Sequence, residues 1–122
     1  MSKSHSFLAL SLAAVLAFSG QAFAHAHLTT SDPADKSVVA GSPASLELHF
    51  SEELNIRFSG AQITGAGMTE IKAGEATLAD EGKTLTVPIP TTLDAGTYSV
   101  EWHVLSTDGH KTNGRYSFTV KP

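Results

Sequence analysis

Thr97-Tyr98-Ser99-Val100-Glu101-Trp102-His103-Val104-Leu105 is the stretch on which the fold turns. Apolar and polar residues alternate along it without a break. Tyr98, Val100, Trp102 and Val104 share one face, and Ser99, Glu101 and His103 share the other. Successive side chains of a strand point to opposite sides, so this period of two predicts a long strand with one buried face. A helix of the same length would scatter those four apolar residues around its axis. Asp94-Ala95-Gly96 supplies the turn that leads into it.

The same signature repeats on both sides. Downstream, Gly114 to Val120 places Tyr116, Phe118 and Val120 on one face. Upstream, Thr84 to Ile89 turns Leu85, Val87 and Ile89 inward, with Pro88 and Pro90 expected to confine its end to a sheet edge. Ser45 to Ser51 turns Leu46, Leu48 and Phe50 one way and Glu47, His49 and Ser51 the other. Asp80-Glu81-Gly82-Lys83 reads as a hairpin turn. Ile56 to Thr64 reads as a strand bent at Gly60, Ile71 and Ala76 to Ala79 as weaker strands, and Ala26 to Ser31 as the first strand. No segment keeps a helical period. About seven short strands with turn signals every 8–12 residues or so predict an all-β sandwich or barrel.

Residues 1–24 read differently. Lys3 precedes an apolar run from Phe7 to Phe18, and Ala22-Phe23-Ala24 has the small-x-small form of a cleavage site. The run is about 12 residues, against the roughly 20 needed to span a bilayer. The expected organisation is a cleaved secretory signal over residues 1–24 and one β domain over residues 25–122. The formal net charge is −4, and removal of Lys3 with the signal makes it more negative. Such a surface repels nucleic acid and attracts cations. The chain has no cysteine, so an exported domain of this size must rely on its core, and it offers no thiolate to a soft metal. A bacterial periplasm is the compartment expected.

Cleavage after Ala24 would make His25 the first residue. Its freed α-amine, with a pKa of about 7.7–8.0, and its ring Nδ1 can then chelate one ion, which an internal histidine cannot do because its nitrogen is an amide. Asp108-Gly109-His110 offers a second half. Residues two apart in extended chain face the same way, about 6.6 Å apart, so carboxylate and imidazole can converge. An amine, imidazoles from His25, His27 and His110, and the Asp108 carboxylate form an N,O set suited to Cu(II), ahead of Ni(II) or Zn(II). His49, between Glu47 and Ser51, and His103, beside Glu101, read as exposed strand histidines.

The segments His25-Ala26-His27, Leu48-His49-Phe50-Ser51-Glu52, Trp102 to His110 and Gly114 to Val120 resemble the CopC family of periplasmic copper-resistance proteins. The resemblance runs over essentially all of residues 25–122. It implies a seven-stranded Greek-key β-sandwich, immunoglobulin-like, with cupredoxin-like topology. It implies one Cu(II) per mature chain, held by the amine and ring of His25, by Asp108 and by His110. It also places a histidine at His27, as a ligand, an axial group or a residue behind the ligands. It implies a non-enzymatic carrier, expected to be monomeric, with a CopD-like inner-membrane copper protein as recipient. Some relatives carry a Cu(I) site in a methionine-rich loop; here Met68 stands alone after residue 24, which argues against such a site.

Two other readings compete. A terminal histidine chelate with a second histidine is also the copper centre of lytic polysaccharide monooxygenases. Those need an aromatic surface, whereas the alternation here sends Tyr98, Trp102, Tyr116 and Phe118 inward. The last reading, a metal-free immunoglobulin-like accessory domain, leaves a histidine at the cleavage point unexplained.

Overall fold

The computed structural model describes residues 25–122; the signal sequence expected over residues 1–24 lies outside the described residues. Two sheets face each other. The first holds four strands in the order β1 (Leu28–Asp32), β3 (Ser45–Phe50), β7 (Thr84–Pro88) and β6 (Thr77–Ala79). The second holds five, in the order β2 (Ser37–Ala40), β9 (Lys111–Lys121), β8 (Gly96–Leu105), β4 (Gly60–Thr64) and β5 (Glu70–Ile71). The chain crosses between sheets after β1, β2, β3, β5 and β7, so neighbours such as β3 and β7 are distant in sequence. All pairings are antiparallel except that of β2 with β9.

The alternating stretch forms the ten-residue β8, paired along its length with β9 from Gly96↔Val120 to Leu105↔Lys111. Tyr98, Val100, Trp102 and Val104 are buried, as the pattern requires. They meet Leu46, Leu48 and Phe50 of β3 and Leu85 and Val87 of β7 in one core. Trp102 and Phe50 pack edge to face with ring centroids 5.1 Å apart. The Tyr98 and Phe118 rings stack at 5.7 Å, and the Tyr98 hydroxyl donates to the Asp94 carbonyl at 2.7 Å. Burial of aromatic surface with its one polar atom satisfied is a large favourable term.

Four expectations are corrected. Among the described residues there are nine strands where about seven were expected. β2 was not foreseen; it is four residues long and takes its hydrogen bonds from the end of β9. Ile56 to Thr64 is not one strand. Asn55 caps a 3-10 turn over Ile56–Phe58 by accepting from the Arg57 amide at 3.0 Å, and β4 begins only at Gly60. β7 as a whole is not an edge strand, since β3 and β6 flank it, although β6 stops opposite Thr86 and the Pro88 end pairs with β3 alone. Pro88 is tolerated because it faces Ser45 at the end of the β3 ladder, where a missing N–H costs least.

Candidate metal centre

The two halves of the proposed site are built by different ends of the chain and meet at one end of the sandwich. The amino-terminal half is a short extended arm. Ala26 is fully buried, which anchors the arm in the core and turns its neighbours His25 and His27 the other way. Two hydroxyls hold its backbone. The Ser51 hydroxyl accepts from the His27 amide at 2.9 Å and donates to the His25 carbonyl at 3.3 Å. The Thr112 hydroxyl donates to the Ala26 carbonyl at 2.9 Å. The Ser51 amide also donates to the His27 carbonyl at 2.9 Å.

The second half is the tight loop between β8 and β9. Gly109 has φ +95°, a value other residues adopt only with strain, and its amide closes a turn on the Ser106 carbonyl at 2.9 Å. Ser106 is buried, and its hydroxyl donates to Asp108 Oδ1. Asp108 Oδ1 also meets His110 Nδ1 at 3.1 Å. The Ser106 hydrogen bond, followed by that from His110, holds the Asp108 carboxyl below its ordinary value. With the carboxylate ionised, His110 Nδ1 must be the donor, and the lone pair of the neutral ring then lies on Nε2.

The halves come together. The His25 and His110 rings are 4.8 Å apart between centroids, and the His25 and His27 rings 6.5 Å. His25 and Asp108 thus each lie beside His110, with His27 a ring farther out on an exposed side chain. Among the described residues, no three His, Asp or Glu side chains already close around a common point. The remaining histidines among the described residues stand elsewhere. His49 Nδ1 lies 2.9 Å from the Thr84 hydroxyl, and Thr84 itself donates to Asp80 at 2.7 Å. His103 is exposed and lies over Gly60. The sequence reading gave Ser51, Ser106 and Thr112 no part in the site.

The CopC domain family model matches residues 28–121. The chain belongs to the CopC family. The matched span contains Asp108 and His110 but begins after His27. Among CopC-family relatives, "Protein YobA" of Escherichia coli (strain K12) is 47% identical over 100 residues, covering 81% of each chain. "Copper resistance protein C" of Pseudomonas syringae pv. tomato is 39% identical over 122 residues, covering 95% of each. Among solved structures, PcoC from Escherichia coli, described as a methionine-rich copper resistance protein, superposes with TM-score 0.73 at 38% identity, covering 80% of this chain and 100% of that one. CopC from Methylosinus trichosporium OB3b has TM-score 0.73 at 34% identity, covering 80% and 95%. Unlike that methionine-rich relative, this CopC-family chain has Met68 as its one thioether between residues 25 and 122, and Met68 is 85% exposed.

Proposed function

We propose that this CopC-family protein binds copper as cargo in the periplasm, holding one Cu(II) with a mature amino terminus at His25. The donors are the α-amine and ring of His25, the ring of His110 and a carboxylate oxygen of Asp108, with the ring of His27 as a further donor, an axial group or a residue behind the ligands. The observation that carries the reading is the 4.8 Å approach of the His25 and His110 rings from opposite ends of the chain, with Asp108 fixed on His110 Nδ1. With Nδ1 of His110 engaged by Asp108, Nε2 is the ring nitrogen left to face a metal, and the carboxylate fixes the ring's orientation.

The role is sequestration and delivery in copper resistance rather than catalysis, with a CopD-like inner-membrane protein as recipient and the carrier acting as a monomer. A carboxylate beside two or three imidazoles offsets the ion's charge and fills its coordination, which suits holding over turnover. The buried positions of Tyr98, Trp102, Tyr116 and Phe118 argue against a polysaccharide oxidase, because none of them can form a flat binding platform.

The test is a competitive Cu(II) titration of two mature proteins, one starting at His25 and one with a single alanine before it. The first should bind one Cu(II), and the second should bind orders of magnitude more weakly. Equal affinities would remove the amine from the site, and no binding by either protein would leave a metal-free accessory domain as the better account. Oxygen uptake with a reductant should stay at the level of bound copper alone; turnover with a polysaccharide would move the protein to the oxidase class.

A further inference from the structure

Beside the candidate metal centre, on the outer face of the five-stranded sheet, lies a second feature with no role in holding a metal. The 3-10 turn Ile56–Phe58 carries two of the exposed large apolar side chains among the described residues, with Phe58 56% and Ile56 37% exposed. This exposure does not come from slack. The Ser59 hydroxyl donates to the Asn55 carbonyl at 2.8 Å and accepts from the Leu105 amide at 3.1 Å, and the Asn55 amide donates to the Leu105 carbonyl at 2.8 Å. The turn is therefore fastened to the end of β8, and it holds Phe58 outward. A partner that covered this ring would gain the apolar area it removes from water.

Phe58 forms one wall of a groove of about 380 Å³, along with Arg57, His103, Lys111, Thr112 and Asn113. Two cationic side chains line it and no carboxylate does, in a chain whose net charge is −4. Glu101, the acidic residue next along the outer face of β8, is engaged by Arg115. The groove also adjoins the candidate metal centre. Lys111 follows His110 directly, and Thr112 is the residue whose hydroxyl holds the Ala26 carbonyl.

We propose that this groove is a protein-docking surface whose partner presents an apolar side chain flanked by carboxylates. An aromatic anchor with positive charge at its rim fits such a surface, the apolar contact supplying affinity and the charges orienting the encounter. The acidic remainder of the chain repels the same partner, so approach is steered to this end. An anionic lipid surface is the weaker fit: two basic side chains with one ring give little hold, each cation raising membrane affinity only about fivefold. That the docked partner receives a metal ion rests on the copper reading above; the docking itself does not.

The experiment therefore uses the metal-free protein, residues 25–122, isotope-labelled for NMR. The probe is the acetylated peptide Asp-Glu-Leu-Asp-Glu, with a lysine-for-acid peptide and phosphatidylglycerol vesicles as comparisons. The acidic peptide should shift amides at residues 57–59, 103 and 111–113. Arg57→Glu combined with Lys111→Glu should weaken it about tenfold or more, as should Phe58→Ser alone, and added salt should weaken it too. All three positions are exposed, so thermal melting should be unchanged in these variants. Shifts elsewhere on the surface, equal binding by the variants, or preferential binding to the vesicles would each overturn the proposal. The alanine-extension titration separates the two ideas, since it can fail while the peptide still docks.

Discussion

At the scale of single residues, hydroxyl groups and one glycine do much of the positioning. Ser106 is the group that most strongly lowers the Asp108 carboxyl. A carboxyl held low in the folded state adds stability above its unfolded value of about 3.9 and loses that contribution as pH falls through the folded value. Ser106→Ala should raise the Asp108 titration toward the ordinary value, read by carbon NMR of the carboxyl, and should shrink the acid-side stability it provides. Tyr116 runs the other way. Burial pushes its phenol up to about 12. Its contribution is complete below the unfolded value of about 10 and is lost as pH rises toward 12, about 3 kcal/mol in all. Tyr116→Phe should flatten that alkaline slope in denaturant titrations. Gly114 faces Trp102 across the β8–β9 ladder, and a Cβ there would lie 2.5 Å from the indole. Gly114→Ala should displace the ring, lower stability by about 1–3 kcal/mol and shift the fluorescence of the chain's single tryptophan. None of these hydroxyl roles was legible in the sequence, since a serine that bonds a backbone carbonyl leaves no periodic mark.

At the scale of elements, legibility followed burial. β3 and β8 were plain because each has one face in the core and one in water, which writes the strand period directly into the sequence. Leu48→Ala, in the middle of β3 and fully buried, should cost about 2–5 kcal/mol in chemical denaturation. β2 was not legible: it is short, Val38 on it is 60% exposed, and its only partner lies about eighty residues on in β9. Val38→Ala should stay within about 0.5 kcal/mol of the parent. The stretch after Asn55 was misread because Ile56 and Phe58 have the spacing of a strand. A side chain that caps its own turn outweighed that pattern, and the turn's apolar residues face outward rather than into the core. The candidate centre was legible for a different reason. Neither His25-Ala26-His27 nor Asp108-Gly109-His110 has a telling spacing alone, but each supplies what the other lacks.

At the scale of the whole molecule, the arm and the β8–β9 loop are neighbours only when both sheets have closed. The Thr112 hydroxyl that holds Ala26 reaches across 86 residues of sequence. An ion shared between the two halves would then act as a removable cross-link in a chain with no cysteine. Closing a loop of that length restricts the unfolded chain by roughly 4.6 kcal/mol in the simple entropic account. Cu(II) should accordingly raise the melting temperature of the protein beginning at His25 far more than that of an alanine-extended one, with the gain reversed by a chelator. The cargo would thus serve as the clasp of its own carrier: loaded molecules would resist unfolding and proteolysis, and emptied ones would be the first to be cleared.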